Sequence, residues 1–177
     1  MYKKIGILGG TFDPPHYGHL SISKISLKKL KLNYVMWAIT KKSPFKKKAV
    51  IPLDKRIKLS KNIVKNYKKI IIKSFDEQIK SSKTINLIKY LKKKNKKTEY
   101  FFLIGSDNLI NFHKWKSWKQ ILKQSKIVVI PRRGFIQKSL NSKAYRGKEK
   151  SKFLLLKSKM VNISSSKIRE NYLKYKN

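Results

Sequence analysis

The residues best suited to chemistry form one run near the start of the chain, Gly9-Gly10-Thr11-Phe12-Asp13-Pro14-Pro15-His16-Tyr17-Gly18-His19. Two of the three histidines in the 177 residues stand here, three positions apart. On a helix that spacing puts both imidazoles on one face. The segment before the run reads as a strand and the pattern after it as a helix. The histidines then stand at a helix N-terminus, where unpaired backbone N–H groups and the helix dipole favour an anion. Gly9 and Gly10 let the backbone pass close to a ligand. N–H groups in such a turn can cradle phosphate oxygens, and Gly18 leaves room between the imidazoles for a base or phosphate. The run is not the Gly-Lys-Ser/Thr phosphate loop, no HExxH accompanies it, and two histidines alone make a poor metal site. The chemistry it suggests is stabilisation of charge on phosphate.

Two further groups of residues suggest the same kind of ligand. Ser164, Ser165 and Ser166 precede Lys167 and Arg169. Serines at a helix start cap it and leave backbone donors aimed at an anion, which Arg169 could grip as a fork; an ordinary capped terminal helix would read the same. Gly105-Ser106-Asp107 follows an apolar segment, and Asp107 stands where an acceptor for ribose hydroxyls would. Trp115 and Trp118 are three apart, so Trp118 can face the core and Trp115 a cleft, where its ring could stack on a flat, cationic heterocycle. His113 reads as a surface or supporting residue. Ser43-Pro44-Phe45-Lys46-Lys47-Lys48 is either a loop that points a lysine at phosphates or a solvated lysine run.

The segment GGTFDPPHYGHL resembles the signature of the HxGH nucleotidyltransferase superfamily, which transfers a nucleotidyl group from a nucleoside triphosphate to a phosphate-bearing acceptor on a Rossmann-like fold. Asn162–Arg169 is similar to that superfamily's ISSxxIR segment, which holds the triphosphate. GSDNLxxFxxWxxW looks like the bacterial nicotinate mononucleotide adenylyltransferases, whose tryptophan packs on the nicotinate ring. The resemblance runs from Ile5 to Arg169. It implies AMP transfer from ATP, with Mg²⁺ held mainly by phosphates and water, to nicotinate mononucleotide. It assigns catalysis to His16, His19, Lys46 and Arg169. ATP binding falls to Gly9, Gly10, Thr11, Phe12, Gly18, Gly105, Asp107, Ser164, Ser165, Ser166 and Arg169, and nicotinate recognition to Thr84 and Trp115. Lys46 stands for the family's Pro-x-Lys loop, with Lys47 and Lys48 as alternatives. At Lys83-Thr84 the chain departs from the family, which has Tyr-Thr and a second Thr where Leu87 stands. Asp54 and Arg56 match the family's next helix start and are read as structural. Another acceptor, nicotinamide mononucleotide or a phosphopantetheine, is the alternative within the superfamily.

Positioning these residues requires alternating strands and helices. Strands are expected at Lys3–Leu8, Tyr34–Ile39, Lys69–Lys73, Tyr100–Ile104, Lys126–Ile130 and Phe153–Leu156. Helical spacing covers Tyr17–Leu32, Leu53–Asn66, Ser82–Lys93, Trp115–Gln124 and Ser165–Lys174. Gln137–Lys152 reads as a polar, mobile loop. The pattern predicts one α/β domain, an open, mainly parallel Rossmann-like sheet with helices on both faces, and a ligand at the carboxyl ends of its strands.

Composition sets the remaining bounds. The chain has no cysteine, which removes disulfides and thiol chemistry, and no apolar run near the ~20 residues of a membrane span. A cytoplasmic protein is expected, without membrane partners and with a homo-oligomer as an option. Lys and Arg number 46 against 8 acids, a net charge of +38. Such a balance fits nucleic-acid binding. It also fits compositional drift, because the basic residues are almost all Lys, spread along the chain, and Lys, Ile and Asn share A/T-only codons. No specific nucleic-acid partner is expected, and a nucleic-acid-binding module remains the reading from a different class.

Overall fold

The computed structural model describes residues 2–42, 49–156 and Ile168. Six strands, β1 (Lys3–Gly10), β2 (Tyr34–Ile39), β3 (Ile70–Lys73), β4 (Thr98–Gly105), β5 (Lys126–Ile130) and β6 (Phe153–Leu155), form one sheet in the order β3-β2-β1-β4-β5-β6. Every pairing is parallel. Such strands need crossovers, which here include α1 (Tyr17–Lys29), α2 (Leu53–Val64), α3 (Thr84–Lys94) and α5 (Trp118–Gln124). The chain is thus an open Rossmann-like α/β sheet.

Side-chain alternation along each strand builds two cores. Ile5 and Ile7 of β1, Tyr100 and Phe102 of β4, and Ile127 and Val129 of β5 pack with Ile85, Ile88 and Leu91 of α3 and with Ile121 and Leu122 of α5. Leu8, Val35, Trp37, Phe101, Leu103 and Val128 point the other way, onto Leu20 and Ile22 of α1 and Val64 of α2. Both faces are therefore covered, and the strands read as near-continuous apolar runs. The winding reverses between β1 and β4. The loops leaving those two strands part to opposite faces and open a crevice over their carboxyl ends.

The expected strands and the long helices occur with ends shifted by a few residues. Gln137–Lys152 is corrected: it is not a loop. It carries α6 (Ile136–Leu140), α7 (Lys143–Arg146) and a short 3₁₀ turn. Ser139, Ser142 and Ala144 are buried there, and the Tyr145 ring lies 5.9 Å from that of Phe153. The pieces are shorter than a helical period can reveal, and they are buried through small or polar side chains. The five-residue α4 (Ser106–Ile110) also escapes sequence patterning. The helix expected at Ser165–Lys174 lies outside the described residues, Ile168 apart. Among the described residues, no helix is long and apolar enough to cross a membrane.

Gly6 shows how tightly the sheet and α1 layer meet. A Cβ there would stand 2.9 Å from Leu32 Cδ1, 3.0 Å from Val35 Cγ2 and 3.3 Å from Leu103 Cδ1. Overpacking of this kind costs about 1–3 kcal/mol. Gly6→Val is expected to lower stability by at least that much in a urea titration, and an unchanged midpoint would contradict the packing described.

Candidate active site

The crevice at the β1–β4 switch is a cleft of about 350 Å³. From the end of β1 it is lined by Gly9, Gly10, Thr11, Phe12, His16 and His19; from the end of β4, by Gly105 and Asp107; from the far side, by Thr84 and Trp115. Ten residues singled out along more than a hundred positions of sequence thus share one cavity. Gly18 is buried in the first turn of α1 and does not line it. Lys46, Ser164, Ser165, Ser166 and Arg169 lie outside the described residues.

The histidines are fixed by the start of α1. His16 is the N-cap residue in extended conformation, and its carbonyl accepts the His19 N–H at 2.9 Å. The His16 N–H in turn donates to His19 Nδ1 at 3.2 Å. With Nδ1 accepting, a neutral His19 ring carries its proton on Nε2, which is then a donor. The two rings lie 3.8 Å apart between centroids. His19 rests on the Phe12 ring at 4.5 Å, and Phe12 stacks on Trp37 at 5.0 Å. Trp37 Nε1–H donates to Ser23 Oγ at 2.8 Å, and Ser23 Oγ–H donates to the His19 carbonyl at 2.9 Å. Phe12 reaches its place with φ of 49°, a left-handed conformation that costs a non-glycine residue on the order of 1 kcal/mol. It is 2% exposed, so its ring supports the histidines from beneath.

Polar side chains bind the loops around the cleft to one another. Arg56, on α2 and 2% exposed, donates from Nε to the Ile51 carbonyl at 2.8 Å. Its Nη1 donates to the carbonyls of Thr11 and of Thr40, the latter at 2.9 Å. Burial pulls its pKa below the ordinary arginine value, while Asp13 and Asp76 pull it back up. Asp13 is also buried and accepts the Val50 and Ile51 N–H groups, both at 2.9 Å. Asp76 accepts Thr40 Oγ1–H and the Lys41 N–H, each at 2.7 Å, and the Ser82 hydroxyl. The loops after β1, β2 and β3 are therefore tied together.

On the β4 side, Asp107 Oδ2 pairs with Arg132 Nη1 at 2.6 Å, and the Arg132 N–H donates to Ser106 Oγ at 2.9 Å. Asp107 Oδ1 is buried and has no hydrogen-bond partner in the structure. A Cβ on Gly105 would stand 2.3 Å from it, so glycine is needed where β4 ends. Trp115 lies edge-on to Phe102, with ring centroids 5.9 Å apart, and 5.3 Å from Phe112. Trp118 packs on Phe112 at 6.3 Å and does not line the cleft. His113 does not line it either.

The local sequence did not single out Asp13, Asp76 or Arg132 as site residues. Arg132 follows the end of β5, a position the strand pattern could have pointed to. Asp13 and Asp76 take most of their partners from 35 or more positions away, beyond the reach of any local pattern.

Residues 7–171 match the family described as cytidylyltransferase-like. The chain belongs to that family. Within it, a Pelagibacter ubique protein named "Probable nicotinate-nucleotide adenylyltransferase" is 50% identical over 94% of this chain and 92% of its own length. A Ruegeria protein of the same name is 32% identical, over 73% of this chain and 68% of its own. Among solved structures, Plasmodium falciparum nicotinic acid mononucleotide adenylyltransferase complexed with NaAD shares the fold with a TM-score of 0.72. It is 22% identical, covering 96% of this chain and 83% of that one. As a member of the cytidylyltransferase-like family, the chain is most simply compared through the β1–α1 turn, and that turn is held by Arg56.

Removing the Arg56 guanidinium strands three loop carbonyls, at about 1–3 kcal/mol for each buried group left unsatisfied. Arg56→Met is expected to cost about 3 kcal/mol or more in a denaturant titration, and Arg56→Lys to recover little, because one ammonium cannot replace the fork. A loss under about 1 kcal/mol would show that the loops hold without it.

Proposed function

We propose that the chain transfers AMP from MgATP to nicotinate mononucleotide, giving nicotinate adenine dinucleotide and pyrophosphate. The observation that carries this reading is the stacked His16–His19 pair at the start of α1, facing across one cleft to Thr84 and Trp115. Its relative at 50% identity bears the corresponding name.

An oxygen of the acceptor's 5′-phosphate attacks the α-phosphorus of ATP. A new P–O bond forms there, the bond from the α-phosphorus to the bridging oxygen breaks, and pyrophosphate leaves with that electron pair. A phosphate monoester has its second pKa near 6, so no proton need be removed from the nucleophile at neutral pH. What the protein must do is align two polyanions and offset the charge that builds on the α-phosphate. Gly9, Gly10 and Thr11 let the backbone approach the phosphates. His19, as an Nε2 donor, and His16 stabilise the α-phosphate and the developing charge. Asp107 Oδ1, which lacks a protein donor, accepts from a ribose hydroxyl. Trp115 presents an aromatic ring to the pyridinium, and Thr84 hydrogen-bonds its substituent. Lys46, Ser165 and Arg169 are assigned to the β- and γ-phosphates.

Among the described residues no cluster of three or more metal-binding side chains stands ready for an ion. Asp13, Asp76 and Asp107 already take donors. This donor set suits Mg²⁺ that arrives on the triphosphate, held by phosphate oxygens and water and offsetting their charge. A cytoplasmic enzyme, with ATP at hand, is part of the proposal.

Pyrophosphate release is the test, with MgATP and either nicotinate or nicotinamide mononucleotide. Release with the acid supports the reading, and none with either acceptor would overturn it. Loss of one contact to transition-state charge costs roughly 2.7–4 kcal/mol. His19→Ala is therefore expected to lower kcat at least about 10²-fold with an unchanged circular dichroism spectrum. Near-normal kcat would remove His19 from catalysis.

A further inference from the structure

Beside the cleft lies a second cavity of about 210 Å³. Ser82, Lys83, Thr84 and Trp115 belong to both and form the wall between them; Lys42, Lys116 and Ile121 complete the smaller one. Three of these seven side chains carry an ammonium and none a carboxylate. The ion pairs among the described residues are Lys41–Glu77, Lys126–Glu99 and Arg132–Asp107, so none of them draws on Lys42, Lys83 or Lys116. The apolar part is the Trp115 indole and the fully buried Ile121. An aromatic plate within a collar of cations suits a flat ring that bears an anionic substituent.

Lys83 is the best placed of the three. It is the N-cap residue of α3, next to Thr84, and it lines both cavities. Its backbone is fixed on both sides: its N–H donates to Ser81 Oγ at 3.1 Å, and its carbonyl accepts the Asn86 and Leu87 N–H groups at 3.0 and 3.2 Å. Its side chain is exposed and free to turn toward the shared wall.

We propose that Lys83, with Lys42 and Lys116 beside it, reads the carboxylate on the acceptor's pyridine ring and so sets the preference for the acid over the amide. The inference rests on the nicotinate reading above. The two acceptors have nearly the same shape and differ by one negative charge, so a collar of ammonium groups has something to discriminate. The position where this chain lacks the family's tyrosine thus gains a cation.

The test compares kcat/KM for nicotinate and nicotinamide mononucleotides at fixed MgATP. Lys83→Gln is expected to cut the acid-to-amide ratio at least about tenfold, through a higher KM for the acid, with KM for ATP and use of the amide unchanged. The double variant with Lys116→Gln should cut it further, and Lys83→Arg should keep most of it. Lys92→Gln, in the last turn of α3, should leave the ratio unmoved. A ratio within twofold of wild type in the double variant would overturn the proposal, as would equal losses with both acceptors, which would mark a general attraction for phosphates. Wild-type protein inert toward both acceptors would instead overturn the proposed function, so the two failures are distinct.

Discussion

A single buried guanidinium holds the phosphate side of the cleft in shape. Arg56 bonds carbonyls of residues 11, 40 and 51, and so ties the turn after β1 to both ends of the segment between β2 and α2. Those carbonyls turn inward to meet it, which leaves the N–H groups of the Gly9–Thr11 turn to the cleft side. Asp13 fastens the same turn through the amides of Val50 and Ile51. The histidines follow three and six residues after Asp13, and their separation is set by helix geometry once the turn is fixed. Without that clamp the β1–α1 turn would be one more mobile loop above a sheet.

The charge balance gains a meaning inside the cleft. The chain has eight acids, four of them aspartates. Asp13, Asp76 and Asp107 all sit around the cleft, and each takes protein donors: backbone amides for the first, two hydroxyls and an amide for the second, Arg132 for the third. The carboxylates that build the site are thus spent on holding it. The field that a polyanionic substrate meets is left to lysines, arginines and backbone N–H groups. The +38 charge spread over the whole chain is compatible with compositional drift, but its local effect at a site for two phosphate-bearing substrates is attraction.

Much of this arrangement was legible in the sequence, for physical reasons that can be named. Apolar runs bounded by Gly and Pro marked the strands, because strands buried on both faces must be apolar along their length. Parallel order then brought the ends of β1 and β4 together, and with them Gly9 to His19, Gly105 and Asp107. Thr84 and Trp115 could be placed at the same cavity because α3 and the segment before α5 pack on one face of the sheet. The clamps were illegible. Arg56 looks like any helix-start arginine until its long-range partners are seen, and Asp76 sits in a segment with no periodicity. The short helices between residues 136 and 146 were also missed, since four or five residues carry no readable period and their burial is through Ser and Ala.

The most direct test of the account follows the atoms. Nicotinate mononucleotide labelled with ¹⁸O in its phosphate is incubated with the protein and MgATP, and the products are resolved by mass and by ³¹P NMR. The account predicts that every labelled oxygen stays in nicotinate adenine dinucleotide, one of them bridging the two phosphorus atoms, and that pyrophosphate is unlabelled. Label in pyrophosphate or in water would place the bond cleavage at the acceptor's phosphorus and contradict adenylyl transfer.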